Sequence, residues 1–162
     1  MPSEYAELTH EEMLALRIYS GPAFQPINEF LRNISKLSDE FRVQMARHPA
    51  ITFAATVGHL CRAIRKLAAV ATPEESRGTV YRAVRGVLPR TFWLPDRDKD
   101  RVCAVDMGFM STSRSEWTPV HYMQSAPAPN VLWELQLQPE GDEGYHQGAN
   151  IAILSQFSAE QE

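Results

Sequence analysis

Thr72-Pro73-Glu74-Glu75-Ser76-Arg77-Gly78-Thr79-Val80-Tyr81-Arg82-Ala83-Val84 is the stretch on which the fold turns. Thr72 to Glu75 ends a helical half. From there, aromatic and β-branched residues come in short runs between Gly and Pro, which is strand punctuation. Thr79–Val84 is expected as a strand, with Val80, Arg82 and Val84 on one face. Arg85 falls on the opposite face from Arg82, so the two arginines are not expected to share one role.

Upstream, residues 1–74 are expected to be helical. Thr9 followed by Glu12 has the form of a capping box, and Glu11 and Glu12 suit a first turn. That helix runs through Met13, Leu16 and Tyr19 until Gly21-Pro22 stops it. A second is expected to begin near Pro26, with Ile27, Phe30, Leu31 and Ile34 on one side. A third, capped by Ser38, carries Phe41, Met45 and Ala46 inward and ends before His48-Pro49. The fourth, Ala50 to Ala71, repeats Ala54, Val57, Leu60, Cys61, Ile64, Leu67 and Ala68 at helical spacing. His59, Arg62, Arg65 and Lys66 fill the rest of its surface and are expected to form a solvated basic face.

Downstream, residues 75–162 are expected to be strand-rich. Pro89 to Asp100 reads as a loop holding Phe92, Trp93 and the start of the charged run Asp96–Arg101. Val102–Met110 has strand character, and Ser115–Met123 reads as a short helix. Asn130–Leu137 alternates well as a strand. Glu140–Gly144 is a turn, and Gly148–Leu154 leads into the terminal loop. Helices first and strands afterwards give an α+β chain, not an alternating α/β one.

The 162 residues suffice for one domain with a core. Apolar content of 44% and charged content of 22% are ordinary for a globular protein. A net charge of −4 offers no global basic field for nucleic acid. Cys61 and Cys103 make no disulfide framework, and no Cys/His cluster has metal spacing. The acidic N-terminus is not a signal peptide, and no apolar run approaches membrane-spanning length. A cytosolic protein with no metal, no nucleic acid and no membrane partner is expected. His121 and His146 have no acid at informative spacing, and Cys103 reads as inert core.

The chain closes on Leu154-Ser155-Gln156-Phe157-Ser158-Ala159-Glu160-Gln161-Glu162. As a strand, these residues would project Glu160 and Glu162 from one face. Two adjacent acids suit chemistry at a cationic centre, one stabilising developing charge and the other taking a proton. Alone, they read as a solvated acidic tail. Together with Val80-Tyr81-Arg82 and Phe109-Met110-Ser111-Thr112-Ser113, in that order, they resemble the arginine–serine–glutamate class of mono-ADP-ribosyltransferases. The text from Leu14-Ala15-Leu16-Arg17-Ile18-Tyr19-Ser20-Gly21 onward is similar to eukaryotic-type enzymes of this class.

The resemblance implies an N-terminal helical part packed on two small, roughly perpendicular antiparallel sheets, with nicotinamide adenine dinucleotide (NAD) between them. No Rossmann fingerprint is present, and the family binds NAD without one. By the resemblance, Glu162 stabilises the ribose cation and bonds its 2′-hydroxyl, and Glu160 holds and deprotonates the guanidinium of a target protein's arginine. Arg82 grips a phosphate. Ser111 positions Glu162 and contacts the nicotinamide ribose, while Thr112 and Ser113 frame the NAD site. Phe157 either recognises the target protein or plugs the core. Trp117 and Tyr122 are both candidates to stack on nicotinamide. A histidine in place of Arg82 and a tyrosine in place of Ser111 would mark the poly-ADP-ribosylating branch.

Two departures stand out. Ala83 takes the place where many relatives have Gly. The family's strand runs on past Glu-x-Glu, whereas this chain stops at Glu162, which suggests a C-terminally truncated piece of a longer protein. The rival readings are an NAD glycohydrolase, a non-catalytic relative and a helical interaction protein.

Overall fold

The computed structural model describes residues 6–35, 53–88, 94, 106–124, 129–137 and 148–157. The expected third helix, residues 102–105 of the expected strand, Cys103, the turn at 140–144, His146, Glu160 and Glu162 lie outside them. Among the described residues three α-helices precede the first strand, a fourth lies between the two strands, and the strands pair antiparallel, a mixed arrangement compatible with α+β.

Helix α1 spans His10–Ile18. Its capping box is complete: Glu12 N donates to Thr9 Oγ1 (3.3 Å), and Thr9 N donates to Glu12 Oε2 (2.9 Å). A π-helical turn, Tyr19–Ala23, follows, with Gly21 outside helical geometry. Gly21-Pro22 therefore ends the regular helix as the sequence implies, but a second helix, α2, resumes at once over Phe24–Ser35. Pro26 sits in the first turn of α2 rather than at its start, where its missing N–H costs no helical bond.

Helix α3, Ala54–Ala69, covers the apolar pattern and is shorter at both ends than the expected Ala50–Ala71. Leu60, Ala63 and Leu67 are buried, while Ala54 and Cys61 are exposed. The inward stripe is thus centred to one side of the expected one. Ile27 and Leu60 are fully buried in a core shared by α1, α2 and α3, with Leu16 and Tyr19. Each such aliphatic side chain contributes about 1.5–3 kcal/mol relative to exposure.

The basic side of α3 is solvated at Arg65, whereas Lys66 and Arg62 turn to an acid on α1. Glu12 on α1 is only 2% exposed. Lys66 Nζ donates to Glu12 Oε2 at 2.9 Å and to Glu7 O at 3.0 Å. Arg62 Nε stands 3.6 Å from Glu12 Oε1, and Arg62 also meets His59 Nδ1 at 2.9 Å. A carboxylate taken out of water needs these cations and the cap N–H beside it. The Lys66 hydrogen bond, then the Thr9 backbone N–H, hold the Glu12 carboxyl below its ordinary value of 4.5.

That shift gives a pH dependence. With a folded pKa below the unfolded one, Glu12 stabilises fully above about pH 4.5, and its contribution is lost as pH falls through the folded value. Glu12→Gln should therefore have an unfolding midpoint that declines less steeply than wild type between about pH 5 and 3. Urea melts at stepped pH measure this, and parallel slopes would refute it.

Residues 72–76 form a one-turn box. Thr72 N donates to Glu75 Oε2 (2.9 Å) and Glu75 N to Thr72 Oγ1 (3.2 Å), while Ser76 N and Oγ both donate to Thr72 O. Strand β1, Gly78–Arg85, follows and pairs antiparallel with β2, Asn130–Leu137, in a register that sets Arg82 opposite Trp133. Gly78 (φ +100°), the first residue of β1, and Gly86 (φ +96°), just past its end, lie in the left-handed region, where a side chain would be strained. Helix α4, Trp117–Gln124, packs on this pair.

One two-stranded sheet is present among the described residues, where the resemblance implies two sheets. Residues 106–112 do not form the expected strand. Ser113 makes a single antiparallel bridge with Tyr81. Side chains, most of them from distant parts of the chain, take the backbone bonds that a ladder would use.

Candidate functional site

The segment Asp106–Ser113 is held from two sides. On the helical side, Asp106 accepts Arg32 Nε at 3.0 Å and Arg32 Nη2 at 2.9 Å. Asp106 Oδ1 also accepts Gly108 N (3.0 Å). The Arg32 hydrogen bonds hold the Asp106 carboxyl below the usual carboxylate range, with Arg82 contributing more weakly. Asn28, buried on α2, reads the Phe109 backbone in both directions. Its Oδ1 accepts Phe109 N at 2.7 Å, and its Nδ2 donates to Phe109 O at 3.2 Å. Gly108 leaves room for this approach, since a Cβ there would lie 2.9 Å from Asn28 Oδ1.

Tyr19 completes the clamp. Its hydroxyl contacts Phe109 O at 3.1 Å and Ser111 Oγ at 3.0 Å, and Asn28 Nδ2 donates to it at 3.3 Å. The Tyr19 and Phe109 rings meet edge-on with centroids 5.3 Å apart. Neither Tyr19 nor Asn28 stands out as a site residue in the sequence. The available signal for Asn28 is a polar side chain beside the apolar stripe of Ile27 and Leu31.

On the strand side, Arg82 Nη1 donates to Ser111 O at 2.8 Å. Tyr81 and Ser113 exchange backbone bonds of 2.8 and 2.9 Å, so β1 carries β2 on one edge and Ser113 on the other. Ser113 is buried, and its Oγ accepts Ser115 N at 3.1 Å. Arg114, the next residue, donates to the carbonyls of Glu75 and Arg77 and ties this edge to the turn before β1.

These pieces border one open cavity of about 850 Å³. Arg82, Ser111, Thr112, Ser113 and Phe157 all line it, with Tyr19 and Asn28 at its helical wall. Arg85 lines it too, although alternation points it away from Arg82. Opposite strand faces thus border one cavity. Tyr122 lines the cavity and is 47% exposed, whereas Trp117 is 66% exposed, stacks on His121 and does not border it. Of the two, Tyr122 borders the cavity.

Phe157 is 51% exposed, so it is no core plug. The chain leading to it is anchored at the cavity rim. Gln156 N donates to Ser20 Oγ at 3.0 Å, the Gln156 amide donates to Arg17 O, and Phe157 N donates to Ser155 Oγ at 3.0 Å. Glu160 and Glu162 follow by three and five residues.

The cavity's volume falls in the ~300–1,000 Å³ range of ligand clefts. It offers guanidinium forks for anions, hydroxyls for a sugar and half-exposed aromatic rings for a planar group. Among the described residues, no group of His, Cys, Asp and Glu side chains could hold a metal ion, and no helix is long and apolar enough to cross a membrane. Comparison with family models, curated proteins and solved structures returned no match.

Proposed function

We propose that the chain transfers ADP-ribose from NAD to an arginine side chain of a protein acceptor, releasing nicotinamide. The observation that carries this reading is convergence: Arg82, Ser111–Ser113 and the approach to the terminal acids, far apart in sequence, meet at one cavity. The fold reading that accompanies it is the ADP-ribosyltransferase arrangement, with its two small sheets and N-terminal helical part.

In this reading Arg82 grips an NAD phosphate while one of its nitrogens stays on Ser111 O. Tyr122 stacks on the nicotinamide. The bond between nicotinamide nitrogen and ribose C1′ breaks, and its electron pair leaves with neutral nicotinamide. C1′ takes on oxocarbenium character, the electronic problem that glycosidases meet with carboxylates. Glu162 stabilises that charge and accepts the 2′-hydroxyl hydrogen bond. Ser111, steadied by Tyr19, fixes Glu162 against the ribose. A guanidinium nitrogen of the acceptor attacks C1′ and passes a proton to Glu160. Arginine is so weakly acidic that an adjacent base is chemically required. Thr112 and Ser113 frame the site, and Phe157 at the rim meets the acceptor protein.

The test is nicotinamide release from NAD, with and without agmatine as a small arginine-like acceptor. Release stimulated by agmatine, with ADP-ribosyl-agmatine as product, is the expected result. Release indifferent to agmatine, with free ADP-ribose, would replace the reading with NAD hydrolysis. No release and no NAD binding by the folded chain would overturn it.

A further inference from the structure

We infer that Glu29 is a first anionic seat that receives the acceptor's guanidinium on its way to Glu160, and this rests on the transferase reading above. Four charged side chains among the described residues border the cavity: Arg32, Arg82, Arg85 and Glu29. Asp106 offsets Arg32, which leaves Arg82 and Arg85 as the cations without an acid partner among the described residues, and a cationic acceptor approaching them is favoured by a counter-charge on its path. Glu29 is the one acid among those four.

Glu29 also has no competing structural duty within the described part of the chain. It is exposed on α2 and makes no ion pair or side-chain hydrogen bond among the described residues. Arg32, one helical turn away and the natural partner at that spacing, is engaged by Asp106 through two bonds. The neighbouring Asn28 is fixed to Phe109, so the backbone beneath Glu29 is held in place. A carboxylate accepts a guanidinium through two parallel N–H···O bonds, which selects arginine-like cations over point charges such as lysine. Glu29 thus captures and orients the acceptor. It is a specificity-determining residue, separate from the groups proposed to act at C1′.

The experiment titrates agmatine into the whole chain by calorimetry, for wild type, Glu29→Gln and Glu29→Asp, at low and high salt. Glu29→Gln should weaken agmatine binding roughly three- to tenfold at low salt, the range of an exposed charge-assisted contact. Glu29→Asp should recover part of the loss, and the gap should narrow as salt screens it. Affinity for NAD should not change. Equal agmatine affinity in wild type and Glu29→Gln, or no agmatine binding by wild type, would overturn the assignment. Nicotinamide release on the same samples keeps the two readings apart. Glu29-dependent agmatine binding without any release would sink the transferase reading and leave Glu29 as the guanidinium seat.

Discussion

Glu162→Gln is expected to lower nicotinamide release from NAD about a thousandfold while leaving the KM for NAD little changed. The substitution keeps the size and the hydrogen-bonding oxygen but removes the charge. In the proposed reaction, that charge matters most when C1′ becomes cationic, so its loss falls on kcat rather than on ground-state binding. A thousandfold corresponds to about 4 kcal/mol of transition-state stabilisation, in the range of other fixed electrostatic groups. Arg82→Ala provides the contrast. Arg82 is assigned to a phosphate that is charged in substrate and transition state alike, so its removal should chiefly raise the KM for NAD, by about ten- to a hundredfold. Steady-state kinetics on the two variants separate these patterns. Turnover of Glu162→Gln within a few-fold of wild type would remove Glu162 from the chemistry. A loss confined to kcat in Arg82→Ala would show that its bond to Ser111 O matters more than any phosphate.

What the sequence revealed of this fold was what could be settled locally. The Thr9–Glu12 box is complete within one turn, so it was legible. So were β1 and β2, through alternation, and the helical break at Gly21-Pro22. What was hidden depends on partners far along the chain. Lys66 reads as one more surface cation until Glu12, 54 residues away, is seen buried beside it. Residues 106–112 carry strand-forming residues but spend their backbone bonds on Asn28, Tyr19 and Asp106, and no local pattern announces that. In the candidate site, Arg82 and Ser111 stood out because short motifs mark them. The wall that positions them, Tyr19 and Asn28, consists of ordinary helix residues.

That wall is where the largest loss of stability should fall. Asn28→Ala is expected to destabilise the chain by about 2–4 kcal/mol. Asn28 is 4% exposed and serves three groups: Phe109 N, Phe109 O and the Tyr19 hydroxyl. Alanine leaves the half-buried Phe109 N–H without its 2.7 Å acceptor, and a donor that loses its partner costs about 1–3 kcal/mol. The lost volume beside the tightly approached Gly108 adds to that cost. For a chain of this size, the melting temperature should fall by about 5–15 °C. Asn28→Asp keeps the acceptor for Phe109 N but turns a second oxygen toward Phe109 O, so it should not rescue the fold at neutral pH. Because Tyr19 and Phe109 carry the clamp on to Ser111, nicotinamide release should fall as well, even below the melting range. A melting temperature of Asn28→Ala within about 2 °C of wild type would mean that Asn28 is dispensable, and that Tyr19, Arg32, Arg82 and the Tyr81–Ser113 bridge hold Asp106–Ser113 in place without it.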